Sequence, residues 1–274
     1  MQRKLAIDLL KMTNTVKICS LASGSNGNAY YIESGDDAIL IDVGISYLQL
    51  TKRARARNIN LQKIKAVFIT HEHSDHIRGL RTFCNKQTAE VFMTHGTAGG
   101  CRSYYLPHKA WHEIHCGDVV EHGKFRIHCF QKPHDVKEPC SYRVEIEGIN
   151  IGIFTDIGHV EPELEEHLRQ CHAVFLESNY DEMMLQTGPY PRDLKNRIAG
   201  PFGHLSNDVS AQLIARVQPP HLHTIILSHL SEHNNTPFIA QKAFDILHGQ
   251  YKILIASRFE AGPVLTINER ESSL

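Results

Sequence analysis

The sequence predicts an α/β protein in which sheets are layered together and helices pack on the outside, all within a single domain. Three observations predict it: short apolar segments of strand length recur along the 274 residues, some of them are joined as hairpins, and helical segments lie between the runs. No linker or low-complexity tract divides the chain. A length of 274 residues fits one large layered domain.

The first elements are a strand, a loop and a hairpin. Strands are predicted at residues 16–21, 29–33 and 38–42, and residues 35–37 carry the turn that joins the last two. Residues 22–28 are small or turn-forming and therefore predict a loop.

The remaining elements alternate less regularly than strict βαβ units would. Further strands are predicted at residues 66–70, 90–93, 125–131, 143–147, 151–155, 173–177, 224–228 and 251–256. Helices are predicted at about residues 46–57, 162–170, 208–217 and 237–248. Ser46 with Gln49 is typical of a capping box, and Pro162 suits a first helical turn. We expect residues 1–13 to be a loosely held extension of a domain that covers residues 14–274.

Composition excludes several classes of protein. The net charge is −1, so the chain is not a histone-like polycation, and no segment approaches the roughly 20 apolar residues of a membrane helix. The first twelve residues lack the apolar core of a signal peptide. Seven scattered cysteines favour a reducing compartment over a disulfide framework. We therefore predict a cytoplasmic protein without a membrane partner.

Histidine is unusually abundant, with 19 in the chain. The segment from His71 to His76 reads His-Glu-His-Ser-Asp-His and directly follows a predicted apolar strand. A strand end is rigid and exposed, so these side chains can converge on metal ions. The alternative is a polar surface loop with chance histidines. Nitrogen and oxygen donors without cysteine suit Zn²⁺, Mn²⁺ or Fe, so the pattern does not decide the metal.

The pattern His-x-His-x-Asp-His resembles the metallo-β-lactamase superfamily of hydrolases. The other motifs of that superfamily follow in order, each after an apolar strand: Asp42, His134, Asp156 and His229. The resemblance covers about residues 16–267 and implies a four-layer αββα sandwich with two internally similar halves.

The same resemblance implies a site with two divalent metal ions. The first metal would be held by His71, His73 and His134, the second by Asp75, His76 and His229, and Asp156 would bridge them. Asp42 would orient the site without binding a metal. The resemblance also implies hydrolysis by a hydroxide that bridges the two metals, with Asp75 among the catalytic residues.

The substrate is indicated by a second pair of residues. Glu177 and the His204 of Phe-Gly-His-Leu-Ser-Asn resemble the carboxylate and histidine that act near the scissile phosphate in ribonuclease Z-like enzymes. The alternative is a buried pair that only braces the sheet. Together with residues 20–28 and 188–191, these motifs resemble the bacterial YycJ/WalJ/VicX-type proteins, which implies a phosphodiesterase or nuclease with DNA exonuclease action.

Six residues are candidate contacts for the nucleic acid: Ser25, Asn26, Asn28, Arg192, Lys195 and Arg197. The first three belong to a loop that can form a phosphate-binding nest or simply a tight turn. The three basic residues precede His204, and a solvated helix face explains them equally well. The interval between Asp156 and His229 leaves no room for the large inserted domain of bigger nucleases. We therefore expect a weaker grip on nucleic acid, or a homodimer.

Two rival functions stay open on the sequence. A glyoxalase II-like thioesterase would use much the same metal ligands, but no cationic pocket for glutathione carboxylates is recognisable. A regulatory binding protein would hold the metals as structure and would cleave nothing.

Overall fold

Two seven-stranded mixed sheets form the centre of the protein in this computed structural model, which describes residues 15–101 and 110–269. The expected extension, residues 1–13, lies outside the described residues and stays a prediction. None of the described helices is long and apolar enough to span a membrane.

The first sheet has the strand order β14-β1-β2-β3-β4-β5-β6. Its strands are β1 (Val16–Ala22), β2 (Ala29–Ser34), β3 (Asp37–Ile41), β4 (Ile64–Phe68), β5 (Glu90–Thr94), β6 (His112–Ile114) and β14 (Leu265–Ile267). β1, β2 and β3 are antiparallel neighbours, whereas β3, β4, β5 and β6 run parallel. The carboxyl ends of β3 and β4 therefore meet at one edge.

The second sheet has the strand order β13-β12-β11-β10-β9-β8-β7. Its strands are β7 (Val119–His122), β8 (Phe125–Gln131), β9 (Cys140–Ile146), β10 (Ile149–Phe154), β11 (Ala173–Glu177), β12 (Thr224–Ser228) and β13 (Lys252–Ile255). The last four run parallel, so their carboxyl ends share an edge.

Nine α-helices lie within the described part of the chain. They are α1 (Tyr47–Ala56), α2 (Ser74–Ile77), α3 (Leu80–Lys86), α4 (His95–Gly100), α5 (Pro162–Arg169), α6 (Glu182–Thr187), α7 (Arg192–Ile198), α8 (Asn207–Val217) and α9 (Pro237–Ala243). Short 3₁₀ turns occupy Leu61–Lys63 and Phe244–Leu247. The predicted capping residue Ser46 accepts a hydrogen bond from the Gln49 backbone N–H, which begins α1.

Three hydrophobic clusters show four layers. One joins the inner faces of both sheets, where Tyr30 of the first sheet lies 4.9 Å from Phe175 of the second between ring centroids. The second packs α1 and α3 onto the outer face of the first sheet, and the third packs α5, α8 and α9 onto the second. The predicted αββα sandwich is thus confirmed.

The predicted elements differ from the structure mainly at the sheet edges. Three short edge strands, β6, β7 and β14, were not predicted, and neither were the short helices α2, α3, α4 and α6. Each edge strand pairs on one side only, so its sequence carries a weak strand pattern. The strand predicted at residues 66–70 ends at Phe68, because the Thr70 N–H donates to Asp42 Oδ1 (2.8 Å) instead of joining the ladder.

Residues that follow three strands adopt the left-handed backbone conformation: Asp42 after β3, Asp156 after β10 and His229 after β12, with φ of 62°, 59° and 57°. This conformation is uncommon for residues other than glycine and costs of order 1–3 kcal/mol where it is strained. Each of these residues directs its side chain into the cluster described below, so the strand ends are shaped around that site.

Two glycines let loops close around it. A Cβ on Gly44 would lie 1.5 Å from the Asp75 carbonyl oxygen, and one on Gly158 would lie 2.2 Å from the Pro201 carbonyl oxygen. The two occupy matching places, two residues after Asp42 and Asp156. Only glycine permits such an approach.

Ser206 begins α8, since its Oγ accepts a hydrogen bond from the Val209 backbone N–H (3.3 Å). We expect Ser206→Ala to lower the free energy of unfolding by about 1 kcal/mol, because that N–H loses its partner. Urea denaturation monitored by circular dichroism measures the change. Ser206→Gly is the matched control and should cost only a few tenths of a kcal/mol, since glycine is tolerated at this position. Equal stability of wild type and Ser206→Ala would contradict the capping role.

Candidate metal centre

The carboxyl ends of five strands converge on one cluster of histidines and aspartates. Asp42 follows β3, the segment from His71 to His76 follows β4, His134 follows β8, Asp156 follows β10 and His229 follows β12. The structure thus brings all seven predicted ligands together in overlapping groups, and within each group the donor atoms lie within 4.8 Å of one another. Parallel strands make this convergence possible, because their ends share an edge.

The first group contains His71, His73 and His134. His73 Nδ1 lies 3.2 Å from His71 Nε2 and 3.3 Å from His134 Nε2. Two nitrogens bound tetrahedrally to one zinc ion at about 2.0–2.1 Å would lie about 3.3 Å apart. The spacing therefore fits three ligands of one metal ion.

The second group contains Asp75, His76 and His229. Asp75 Oδ2 lies 3.5 Å from His76 Nε2 and 3.6 Å from His229 Nε2. Asp156 lies between the groups: Oδ2 is 3.4 Å from His76 Nε2, and Oδ1 is 3.4 Å from His229 Nε2 and 4.0 Å from His134 Nε2. Its carboxylate is therefore placed to serve both groups.

Asp42 and Thr70 orient two of the rings. His76 Nδ1 donates to Asp42 Oδ2 (2.7 Å), which leaves the Nε2 lone pair facing the cluster. Thr70 Oγ1 donates to the same carboxylate (2.9 Å) and so accepts from His71 Nδ1 (2.9 Å). Such contacts fix the tautomer of a histidine ligand. Asp42 touches no metal-facing atom of the cluster, as predicted for an orienting residue.

Two of the remaining rings, those of His134 and His229, are held in the same way. His134 Nδ1 donates to the Gly203 carbonyl (3.2 Å), and His229 Nδ1 donates to Glu177 Oε1 (3.2 Å). Asn179 Nδ2 donates to the His229 carbonyl (2.7 Å). Each ring thus again presents Nε2 to the cluster.

The carboxylates make the centre attractive to cations. Burial acts to lower the pKa of His229, but the charge of Asp156 and the neighbouring carboxylates of Asp75 and Glu177 raise it to about 10. Burial likewise acts against the charged form of His76, yet Asp156 and Asp42 hold its pKa well above its usual value. Buried carboxylates therefore favour positive charge here.

The remaining rings stay neutral and able to bind a metal. Burial holds the pKa of His71 well below its usual value and lowers that of His134 to about 3, in spite of the opposing charge of Asp156. Asp156 Oδ2 and His229 Nε2 are buried without a hydrogen-bond partner. Buried polar atoms without partners are costly, so their presence fits a site made for cations. The donor set suits divalent metals.

Glu177 and His204 form the predicted pair. His204 Nδ1 lies 2.8 Å from Glu177 Oε1, and the side chain of His204 is 19% exposed. Glu177 Oε2 accepts from the backbone N–H groups of Ile157 (2.8 Å) and Leu205 (3.1 Å). Burial acts to raise the pKa of Glu177, but the charge of His204 and hydrogen bonds with His204 and His229 lower it to about 2. Glu177 is therefore ionised at neutral pH.

His204 lies over the centre rather than in the core. Its ring centroid is 5.4 Å from that of His134 and 5.2 Å from that of His229. A cavity of about 630 Å³ opens beside His134, with Lys132, His159 and Phe202 in its wall. His204 thus adjoins the metal-facing atoms and is itself partly exposed.

The structure places the predicted substrate contacts in different surroundings. Ser25 and Asn26 are exposed, but Asn28 is fully buried. Asn28 Nδ2 contacts His76 Nε2 (3.0 Å), and its Oδ1 accepts from the Gly24 N–H (3.0 Å). The side chain of Asn28 therefore supports the cluster and the turn, so its prediction as a substrate contact is corrected.

The three basic residues belong to α7, none of whose residues is buried. Arg197 Nε is bound to Asp135 Oδ2 (2.5 Å), and Lys195 Nζ donates to the Gln186 carbonyl (2.7 Å). Asp135 Oδ1 in turn lies 3.8 Å from His73 Nε2. Arg197 is thus linked to the cluster through Asp135, whereas Arg192 is exposed and Lys195 is half-buried.

Sequence reasoning missed Thr70, Asn179 and Asp135. Thr70 and Asp135 each adjoin a motif histidine in the chain, and Asn179 lies two residues after Glu177. That adjacency is the signal that could have found them. Their hydrogen bonds depend on side-chain directions that the sequence pattern does not specify.

A sandwich of two sheets with this cluster at one edge defines a metal-dependent hydrolase of the metallo-β-lactamase fold. The sequence pattern of the family described as "Beta-lactamase superfamily domain" matches residues 37–229. The chain belongs to the beta-lactamase superfamily.

Several known proteins are similar over most of the chain. A protein of Bacillus anthracis described as "Exodeoxyribonuclease YycJ" is 28% identical, covering 93% of this chain and 95% of the relative. "Exodeoxyribonuclease WalJ" of Streptococcus pneumoniae serotype 2 is 31% identical, covering 82% of this chain and 85% of the relative. The metallo-beta-lactamase fold protein YhfI of Bacillus subtilis, a crystal structure, matches with a TM-score of 0.70 at 15% identity, covering 92% of this chain and 99% of that one. At that identity the likeness shows the fold alone.

Proposed function

We propose that this protein is a metal-dependent exodeoxyribonuclease. The observation that carries the proposal is the Glu177–His204 contact beside the metal-facing cluster, because a histidine held there by a buried carboxylate suits proton transfer near a phosphate. The YycJ and WalJ relatives, both described as exodeoxyribonucleases, support DNA as the substrate.

The proposed site takes two divalent ions per chain, Zn²⁺ or Mn²⁺, with Fe as a further choice. His71, His73 and His134 would hold one, Asp75, His76 and His229 the other, and Asp156 both. Such a pair of ions, when bound, supplies a hydroxide nucleophile at neutral pH and neutralises charge on phosphate oxygens. The pairwise spacings and the two unpartnered buried atoms described above support this ligand set.

The protein's own residues orient the substrate and move a proton. Glu177 accepts the Nδ1 proton of His204, so Nε2 is the ring nitrogen that can exchange a proton with the substrate. The two backbone N–H groups that bind Glu177 Oε2 keep that carboxylate fixed and ionised. Asp75 lies close to the ring nitrogens of His76 and His229, and its proposed part in catalysis is exerted through these two neighbours.

An assay after metal reconstitution tests the proposal. End-labelled single- and double-stranded DNA and RNA are offered together with bis(p-nitrophenyl) phosphate and a glutathione thioester. We expect stepwise shortening of DNA from one end and hydrolysis of the phosphodiester. Turnover of the thioester alone would favour the glyoxalase II-like alternative, and metal binding without turnover of any substrate would favour a binding protein.

The open face of α7 is proposed as part of the DNA path, with Ser25 and Asn26 on the other side of the cluster. We expect Arg192→Ala with Lys195→Ala to reduce the salt slope of binding to single-stranded DNA by up to about 1.4, since each phosphate contact contributes about 0.7. Binding measured by fluorescence anisotropy at several salt concentrations gives the slope.

The matched control removes Lys65 and Lys86, two exposed lysines near the amino ends of β4 and β5, far along those strands from the cluster. This change also removes two positive charges, yet it should leave the slope within error of wild type. Equal slopes in the two double variants would contradict a role of α7 in binding DNA.

A cytoplasmic location and a homodimer complete the proposal. All seven cysteines are free, which supports a reducing compartment. The absence of a large insert between Asp156 and His229 supports a second copy as the means of a firmer grip on DNA. Light scattering of the metal-loaded protein tests the dimer.

A further inference from the structure

A second cavity lies at the same edge of the second sheet as the metal-facing cluster. It has a volume of about 290 Å³ and is bordered by Ser23, which follows β1, by Leu230, which follows β12, and by residues 255–259, at and beyond the end of β13. β13 is the parallel neighbour of β12, and Leu227 pairs with Ile255. Adjacent strands lie about 4.8 Å apart, so the cavity begins one strand spacing from His229.

The loop of residues 23–28 connects this cavity with the cluster. At one end Ser23 Oγ accepts from the His229 N–H (2.8 Å), and Asn26 Nδ2 donates to the Arg258 carbonyl (3.4 Å). At the other end Asn28 contacts His76 Nε2 (3.0 Å). A substrate that crosses this loop from the cluster therefore reaches the cavity next.

The lining of this cavity is mostly apolar. Leu230, Pro237, Ile255 and Ala256 border it, and its hydroxyl groups are already engaged. Ser231 Oγ accepts from the Asn234 N–H (3.3 Å), and Ser257 Oγ accepts from the Phe259 N–H (3.1 Å). An apolar wall with satisfied polar groups suits a flat ring better than a charged group.

Phe259 stands in the wall with 76% of its surface exposed. Arg258 lies over its ring at 6.0 Å from the centroid, and that guanidinium is bound to Glu232 Oε2 (2.6 Å) and to the Leu230 carbonyl (2.7 Å). Because Glu232 balances Arg258, the cavity offers no free positive charge for a phosphate. It offers the aromatic ring of Phe259, which the Arg258 guanidinium contacts on one face.

We infer that this cavity binds a nucleobase of the DNA strand by stacking on Phe259, next to the phosphodiester at the metal centre. The inference rests on the proposed function, since it identifies how the same site grips its DNA. Stacking of a base on an aromatic side chain tolerates any sequence, which suits an exonuclease that must remove every nucleotide in turn.

The test compares Phe259→Ala with wild-type metal-loaded protein. The readout is the ratio of kcat/KM for single-stranded DNA to kcat/KM for bis(p-nitrophenyl) phosphate. We expect the ratio to fall about 5- to 150-fold, the range that loss of one stacked base implies. Phe259→Trp should restore it. Phe238→Ala is the matched control, since Phe238 is 75% exposed and does not border the cavity, and it should keep the ratio.

Three DNA substrates, each with a single abasic site at the first, second or third position, identify which base stacks on Phe259. At one position the wild type should lose the same factor as Phe259→Ala, and the variant should lose nothing more. Two results would overturn the inference: a ratio in Phe259→Ala no lower than in Phe238→Ala, or a loss from the abasic site that multiplies with the loss from Phe259→Ala at every position. In either case, DNA cleavage by the wild type would still support the proposed function. A wild-type protein that cleaves no DNA would overturn both.

Discussion

His204→Ala is expected to lower kcat for DNA hydrolysis about 10²–10⁴-fold while the metal content stays that of wild type. General acid or base groups contribute this much to a rate, and His204 is the partly exposed ring that Glu177 orients beside the cluster. His204 does not hold the rings of His134 and His229 in place, because the Gly203 carbonyl holds the first ring and Glu177 holds the second. Elemental analysis and steady-state kinetics on end-labelled DNA check both parts.

The control for this variant is His95→Ala, which removes an exposed histidine whose partner is Glu113 on the surface. It should keep both metal content and activity. If His204→Ala retained full activity at the usual pH, the pair would only brace the sheet. Loss of metal in that variant would instead assign His204 to the cluster itself.

Asp156→Ala is expected to show the largest loss of metal, more than about 100-fold in affinity for both ions. Its two oxygens lie 3.4 Å from His76 Nε2 and 3.4 Å from His229 Nε2 in the second group, and Oδ1 lies 4.0 Å from His134 Nε2 in the first group, so the carboxylate adjoins both groups. Removal of a residue that only supports a ligand typically costs 10–100-fold. Metal content after reconstitution should fall from close to two ions per chain to one or fewer.

Two further variants are compared with Asp156→Ala for their metal content. Asp42→Ala and Glu177→Ala each remove a carboxylate that supports a histidine without facing the proposed ions, and we expect the intermediate loss. If Asp156→Ala retained two ions, the carboxylate would not bridge. If all three variants lost metal equally, the loss would come from misfolding of the site, and a lower free energy of unfolding in urea would reveal this.

The sequence by itself determined the fold class and the candidate ligands. Apolar strands followed at once by His71, His134, Asp156 or His229 are visible in the chain, because each strand is continuous and the donors come directly after its end. The predictions for β8, β11 and β12 agree with the structure residue for residue, since these are fully paired strands inside the second sheet. The resemblance to the metallo-β-lactamase superfamily implied which donors belong together.

Only the tertiary structure decided what the donors' neighbours do. The left-handed backbone at Asp42, Asp156 and His229 occurs where three strand ends direct their side chains into the cluster, and no local pattern predicts it. Asn28 looked like a loop residue for phosphate, yet long-range packing buries it against His76. Arg197 looked like its basic neighbours, but Asp135, distant in sequence, partly neutralises it. Periodicity reports a residue's own strand or helix, whereas these roles depend on which distant segment packs against it.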